Sequence, residues 1–177
     1  PRETVNKMAK YGFLGIPVAK EFGGQGADPL AYVMCVEEIA KVCATTAVIV
    51  SAHTSLCADP IAMYGTPAQK EKYLIPLAKG EKLGAFALTE PNAGTDAQGA
   101  VTTATLDNDE YVLNGSKIFI TNGKEADIYV VIACTEVKVD AKGRKKKVFS
   151  AFLVEKGTPG FNFGTKEKKM GIRGSST

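Results

Sequence analysis

Residues 86–96 read FALTEPNAGTD, and residues 117–123 read KIFITNG. Each stretch joins a run of strand-forming residues to a turn rich in Thr, Asn and Gly. A strand fixes the position of the turn behind it, and such a turn exposes the backbone N–H groups and hydroxyls that bind a phosphate or the edge of a heteroaromatic ring. By composition and spacing alone, however, solvent-side turns of a β-sandwich are the simpler interpretation.

From residue 83 onward the chain has short β-branched and aromatic runs that are broken by Gly and Asn, the pattern of a sheet. Strands are predicted at residues 83–89, 101–106, 110–113, 116–121, 127–135, 147–154 and 161–165. The pair Asn114-Gly115 predicts a two-residue hairpin, because a type I′ turn needs positive φ at both central residues. Another turn is predicted at residues 107–109, and residues 138–147 are predicted to form the tip of a longer hairpin.

The first part of the chain has apolar residues at helical spacing instead. Asp28 and Pro29 predict an N-cap and a first-turn proline, from which a stripe of apolar residues follows. Residues 46–64 are apolar on nearly all sides, which predicts a helix buried between others. We therefore expect an α+β fold, with an N-terminal all-α segment over residues 1–82 and an antiparallel β-barrel or sandwich domain over residues 83–177.

Composition limits the classes of function. The net charge of +3 on 177 residues is too small to predict binding to nucleic acid. No apolar run has membrane-spanning length and the polar N-terminus is unlike a signal peptide, so we expect no membrane contact and a reducing, cytoplasmic setting. The four cysteines lack metal-binding spacing and the single histidine, His53, stands in an apolar segment. We expect no metal site and a structural, hydrogen-bonded His53.

The two stretches together resemble the flavin-binding signature of the acyl-CoA dehydrogenases. That family has an aromatic-x-x-Thr-Glu-Pro-x-Ala-Gly-Ser/Thr-Asp segment and a later aromatic-Ile-Thr-Asn-Gly segment. Other family landmarks stand here in the same order, as LGIP at 14–17, GGQG at 23–26, GTPAQK at 65–70, NGSK at 114–117 and MGIR at 170–173. The resemblance covers essentially the whole chain, and the segment VSAHTSLC at 50–57 is most similar to the bacterial short-chain, butyryl-CoA type enzymes.

The resemblance implies an FAD site. Thr89 would hydrogen-bond the pyrimidine side of the flavin, and Thr95 would contact both the FAD pyrophosphate and the acyl-CoA substrate. Phe119, at a position where many relatives have Trp, would pack on the flavin, and Thr121, on the same face of a predicted strand, would meet the N5 edge. The predicted cofactor-binding residues are Phe86, Leu88, Thr89, Gly94, Thr95, Phe119, Ile120 and Thr121.

The activity implied by the resemblance is α,β-dehydrogenation of a short-chain acyl-CoA to the trans-2-enoyl-CoA in fatty acid β-oxidation. Hydride would pass to flavin N5 and electrons onward to an electron-transferring flavoprotein, in a homotetramer. The family base is a Glu of a C-terminal four-helix domain, so we expect that domain and the base beyond Thr177, and an inactive fragment with both of its domains incomplete. Glu37, Glu38 and Glu90 are not expected to replace the base.

Two alternatives stay open at this point. A related acyl-CoA oxidase, or a dehydrogenase for branched or dicarboxylic acyl groups, would share the same signature and differ in the acyl pocket or in the reaction of the reduced flavin with oxygen. A non-catalytic α+β binding module would need no flavin signature at all, so the two spaced segments count against it.

Overall fold

The computed structural model describes residues 1–139 and 141–177. The helices are α1 Arg2–Lys10, α2 Pro29–His53, α3 Asp59–Tyr64, α4 Pro67–Gln69 and α5 Ile75–Ala78. π-helical turns lie at Thr54–Ala58 and Lys70–Leu74, and 3-10 turns at Phe13–Gly15, Lys20–Phe22 and Ala97–Gly99. The strands are β1 Gly84–Ala87, β2 Thr103–Asp107, β3 Glu110–Asn114, β4 Ile128–Val139 and β5 Lys145–Glu155.

Helix α2 begins and bends where its sequence allows. The Asp28 side chain accepts a hydrogen bond from the Ala31 N–H at 2.7 Å, which is the predicted N-cap. At Cys43 the backbone leaves helical geometry, with φ −152° and ψ 95°, so the two halves of α2 point in different directions. The second half is buried as predicted, whereas the apolar stripe of the first half is exposed, with Leu30 65% and Val33 56% accessible.

Within the described residues the five strands form one sheet, and β4 is its central strand. Strand β5 pairs antiparallel with β4 from Ile128↔Glu155 to Val139↔Lys145 and so occupies one edge of it. The other edge is shared, since β1 pairs there in parallel up to Ala87↔Val131 and β2 meets it at Thr103↔Cys134. Strand β3 pairs antiparallel with β2 at the end of the sheet. The α+β class is confirmed, but the sheet is mixed and not closed, rather than an antiparallel barrel or sandwich.

Three local predictions are wrong. The β2–β3 hairpin turns at residues 107–109, where Asn108 has φ 53°, and not at Asn114-Gly115. Gly115 instead packs on Thr102, whose Oγ1 would lie 2.3 Å from a Cβ at that position. The predicted strand at 116–121 does not form, because Phe119 has φ 57°, and residues 161–165 are also not a strand. The long hairpin predicted with its tip at residues 138–147 is confirmed by the β4–β5 pairing, which extends to Val139↔Lys145; residue 140 lies outside the described residues.

The helices pack on one face of the sheet, and the two parts share a core. Ile128 and Val130 of β4 lie in one buried cluster with Cys57, Leu74 and Leu77 of the helical part. The opposite face carries a second cluster of buried residues, Ala85, Ala87, Ala126, Tyr129 and Val131. A boundary between units at residues 82 and 83 stays a prediction, because one continuous core crosses it.

Candidate functional site

The first stretch leaves β1 and reverses direction at once. Glu90 and Ala93 exchange two backbone hydrogen bonds, with N···O distances of 3.0 and 3.1 Å, so the chain turns tightly between them. Gly94 and Thr95 follow on the surface, and a Cβ built on Gly94 would meet no atom within 4 Å. The turn therefore presents open backbone, which an anion or a ring edge can approach closely.

The side chain of Glu90 is buried beneath this turn, with 1% of its surface accessible. Its oxygens accept hydrogen bonds from the N–H groups of Val101, at 2.6 Å, and Thr102, at 3.0 and 3.2 Å, and from Lys117 Nζ at 2.6 Å. Burial is the largest single influence on the Glu90 carboxyl and by itself raises its pKa. The donors Lys117, Thr102 and Val101 outweigh it and lower the pKa to about 2, so the group is a carboxylate at neutral pH.

Lys117 joins the second stretch to the first. Besides Glu90, its ammonium donates to the Leu88 carbonyl at 2.9 Å, and the side chain is 10% accessible. One residue on, the Ile118 N–H donates to the Thr89 carbonyl at 2.9 Å. Two consecutive residues of one stretch are thus bonded to three of the other, so the predicted flavin-binding segments form one unit.

Beyond Ile118 the second stretch is not a strand and passes from the surface at Phe119 to the interior at Asn122. Phe119 has φ 57° and the residue is 62% accessible, whereas Ile120 packs on the cluster of Ala85, Ala87 and Tyr129. The prediction that Phe119 and Thr121 share a strand face is therefore wrong, since a left-handed residue breaks the two-residue period. Their common use at a flavin remains a prediction.

The stretch ends at a buried junction centred on Asn122. Its Nδ2 donates to the carbonyls of Ile49, at 3.1 Å, and Gly84, at 3.2 Å, and its N–H donates to the Ser176 carbonyl at 2.9 Å. Asn122 also has φ 64°, which Asn tolerates better than most residues. Helix α2, strand β1 and the last described residues are all held by this one side chain and its backbone.

His53 completes the same junction. The Gly84 N–H donates to its Nδ1 at 3.0 Å, so Nε2 carries the proton and donates to the Leu77 carbonyl at 3.2 Å. Burial lowers the pKa of His53 to about 4, and carbonyls of Leu77 and Leu14 offset part of that shift. The prediction of a structural, hydrogen-bonded histidine is confirmed.

The two stretches also carry polar groups that have no hydrogen-bond partner within the described residues. Within the described residues, the N–H groups of Phe119, Ile120 and Thr121 and the hydroxyls of Thr89, Thr95 and Thr121 make no hydrogen bond. Hydrogen-bond donors beside an exposed aromatic face are what the polar edge and the flat face of an isoalloxazine require. The donor set therefore fits a flavin.

The predicted site residues are not all equally available. Phe86 packs against the core cluster between helices and sheet, and Leu88 is half-buried with its carbonyl engaged by Lys117. Gly94 and Thr95 are on the surface, and Thr89 and Thr121 are half-buried. Sequence reasoning missed the buried ion pair of Lys117 and Glu90, because the two residues are 27 positions apart and no local pattern pairs them. The available signal was one acidic and one basic residue, Glu90 and Lys117, each next to the strand-forming run of its own stretch.

The other acidic candidates are unlike a buried base. Glu37 and Glu38 are exposed on α2, at 3.6 and 2.6 Å from Lys41 Nζ. Among the described residues, no group of three or more His, Cys, Asp or Glu is arranged to hold a metal ion. In the same part of the chain, no helix combines the length and the apolar character that crossing a membrane requires.

The comparison with protein families follows the same division of the sequence. The model of the acyl-CoA dehydrogenase N-terminal domain matches residues 1–81, and the model of the middle domain matches residues 85–177. The chain belongs to the acyl-CoA dehydrogenase family. Its relative in Clostridium acetobutylicum, a short-chain specific acyl-CoA dehydrogenase, is 58% identical over 100% of this chain and 45% of that protein. The chain spans 45% of the length of the curated relatives it matches first.

Three solved structures have the same fold as this chain. Butyryl-CoA dehydrogenase from Megasphaera elsdenii superposes with a TM-score of 0.91 at 51% identity, over 99% of this chain and 46% of that one. A chain in the structure of the electron transferring flavoprotein of Acidaminococcus fermentans has a TM-score of 0.90 at 53% identity. The match covers 99% of this chain and 45% of that one. The acyl-CoA dehydrogenase of Bacillus anthracis complexed with FAD has a TM-score of 0.87 at 41% identity, and the match covers 97% of this chain and 29% of that one.

Proposed function

We propose that this chain is the N-terminal and middle part of an FAD-dependent acyl-CoA dehydrogenase that acts on short-chain acyl-CoA thioesters. The observation that carries the proposal is the joining of the two signature stretches through Glu90 and Lys117, with hydrogen-bond donors of residues 119–121 that have no partner within the described residues. The short-chain relative in Clostridium acetobutylicum and the butyryl-CoA dehydrogenase of Megasphaera elsdenii support the substrate class.

In this proposal FAD is held by the turn after Ala93 and by residues 119–121. Phe119 covers a face of the ring, Thr121 and the adjacent N–H groups donate to its polar edge, and Thr89 donates on the pyrimidine side. Gly94 and Thr95 approach the pyrophosphate, and Thr95 also contacts the acyl-CoA. Bound FAD supplies a hydride acceptor for the β-hydrogen of the substrate.

The base that removes the α-proton is proposed to lie outside these 177 residues. Glu90 is already saturated by Lys117 and two backbone donors, and Glu37 and Glu38 are solvated on α2. A carboxylate held by three donors in its ionised form is a weak base. The chain by itself is therefore expected not to turn over. Because the family resemblance also assigns part of the FAD site to the C-terminal domain, the chain is expected to bind FAD weakly or not at all.

The remaining features of the whole protein are also proposals. We expect residues 1–82 and 83–177 to be two units, a homotetramer in the cytoplasm, and β-oxidation as the setting. Electron transfer to an electron-transferring flavoprotein is supported by the similarity to a chain in the Acidaminococcus fermentans structure.

The test is an absorbance spectrum of the intact natural protein with FAD, before and after desalting, followed by anaerobic butyryl-CoA. Retained flavin that bleaches on addition of substrate is the expected result. Failure to retain flavin, or retained flavin that no acyl-CoA bleaches, would contradict the proposal. Rapid reoxidation of the bleached flavin by oxygen would favour an acyl-CoA oxidase. The same titration with the 177-residue chain tests whether the base lies elsewhere.

A further inference from the structure

Opposite charges are buried together behind the two signature stretches. The Lys117 and Glu90 side chains are 10% and 1% accessible, and their charged atoms are 2.6 Å apart. An exposed pair of the same length exists on α2, where Lys41 Nζ lies 2.6 Å from Glu38 Oε1 with both side chains more than half accessible. Exposed pairs contribute little, but a buried pair acts through a medium that screens it poorly.

The buried pair is balanced. Glu90 accepts from Lys117 and from the N–H groups of Val101 and Thr102, and Lys117 donates both to Glu90 and to the Leu88 carbonyl. Both charges are therefore satisfied locally, and their fields cancel at a distance. Replacement of one partner by a neutral amide removes that cancellation and leaves the other charge uncompensated.

The position of the pair connects it to the proposed cofactor. Glu90 directly follows Thr89, and Lys117 stands two residues before the exposed Phe119. The Ile118 N–H bonded to the Thr89 carbonyl keeps the two backbones in contact at this point. Any ring held by Thr89 and Phe119 therefore contacts the two stretches within two residues of the members of the pair.

We propose that the Glu90–Lys117 pair is a positioning device for the flavin site, which fixes the spacing of the two stretches and presents no net charge to the ring. This inference rests on the proposed function. Reduction makes the ring more electron-rich, so an uncompensated positive charge nearby favours the reduced form and an uncompensated negative charge favours the oxidised form. The two members of the pair thus have opposite effects on the reduction potential.

The experiment measures the flavin reduction potential of the intact, FAD-loaded protein at pH 8 by equilibration with redox dyes, alongside the Kd for FAD and the Tm. Glu90→Gln is expected to shift the oxidised-to-reduced equilibrium at least tenfold toward the reduced form, a rise of about 30 mV for a two-electron couple. Lys117→Gln is expected to shift it tenfold the other way. The double variant Glu90→Gln/Lys117→Gln is expected to return within about threefold of wild type.

The matched control is Glu38→Gln, which breaks the exposed pair of equal length and is expected to leave the potential unchanged. If Lys117→Gln does not fold, Lys117→Arg keeps the charge and is expected to keep the potential, while Glu90→Gln still raises it. Shifts of the same sign in both single variants, or a fall in Tm without any shift, would overturn the inference while FAD binding and bleaching stand. A wild-type protein that binds no FAD would overturn the proposed function and this inference with it.

Discussion

Two polar junctions are buried in this molecule, and they use different chemistry. The junction of His53 and Asn122 is neutral and ties helix α2, strand β1 and the last described residues together. The junction of Glu90 and Lys117 is ionic and ties the two signature stretches together. The neutral one joins large elements whose packing already orients them, whereas the ionic one joins two loops that have little packing of their own.

The difference shows what each kind of junction requires. A neutral network needs each group to keep one tautomer or one orientation, and burial enforces that by holding His53 uncharged. An ionic network needs both partners present, because a lone buried charge is far more unfavourable than a pair. The neutral junction should therefore respond to pH near the ordinary titration range of histidine, and the ionic junction to loss of either partner.

Loss of one ionic partner is expected to have the largest effect on stability. Lys117→Met leaves the Glu90 carboxylate buried without its cation and should lower the free energy of unfolding by about 3–5 kcal/mol. Glu90→Gln/Lys117→Met removes both charges and should recover most of that loss. Denaturant unfolding of the three proteins measures the difference, and a double variant no more stable than Lys117→Met would show that the charge is not the cause.

Acid is expected to weaken the neutral junction next. The pKa of His53 in the folded chain is about 4, against an ordinary value of 6.5. Between these two values the unfolded chain binds a proton at His53 and the folded chain does not. Its contribution is complete above pH 6.5 and is lost as the pH falls toward 4, by about 3 kcal/mol in all.

His53 is the only histidine of the sequence, so the slope of stability between pH 6.5 and 5 reports on it. In His53→Gln, whose amide offers one acceptor and one donor without titrating, this slope should flatten. Equal slopes in the two proteins over that interval would contradict the assignment. Below pH 4.5 Glu90 adds a second loss, because its folded pKa of about 2 lies under its ordinary value.

Asn122 separates a hydrogen-bond effect from a backbone effect within the neutral junction. Asn122→Gly keeps the φ of 64° accessible but removes two donors to buried carbonyls, which should lower stability by about 2 kcal/mol. Asn122→Ala adds left-handed strain, a further loss of about 1 kcal/mol. Chemical denaturation of both variants measures the two effects, and an alanine variant as stable as the glycine variant would refute the strain.

The smallest effect on stability is expected at the polar groups of the two stretches that have no hydrogen-bond partner within the described residues. Thr121→Val removes a hydroxyl with no partner in the described chain and should change the free energy of unfolding by less than about 0.5 kcal/mol. In the intact protein the same change should weaken FAD binding. Thr105→Val, on an exposed position of β2, is the control for both measurements. Unchanged FAD binding in Thr121→Val would remove this residue from the proposed site.

The sequence predicted elements well where local chemistry decides them. The Asp28 cap, the buried second half of α2 and the β4–β5 hairpin all follow from caps, periodicity and charge within a few residues. The predictions failed where distant residues decide, as at Gly115, which is small because Thr102 of another segment lies against it. The residues around Phe119 are typical of a strand. The hydrogen bonds of Lys117 and Asn122 on either side nevertheless hold Phe119 in a left-handed conformation.

The candidate site was predicted in outline for a similar reason. The family resemblance singled out the exposed residues that would touch a ligand, because a ligand selects those residue types. The resemblance did not indicate the buried residues that hold these exposed ones in place. The ion pair between Glu90 and Lys117 depends on contacts across residues 88–118 that no local pattern contains.

The bonds from Glu90 to Val101 and Thr102 also have a topological consequence. They close residues 91–100 into a small ring whose two ends meet at one carboxylate. That ring includes Gly94 and Thr95, the residues proposed to meet the pyrophosphate. The conformational entropy of closing such a ring is lost when the chain folds, before any ligand binds. An incoming ligand then meets a loop that is already ordered, so less of its binding free energy goes into arranging the receptor.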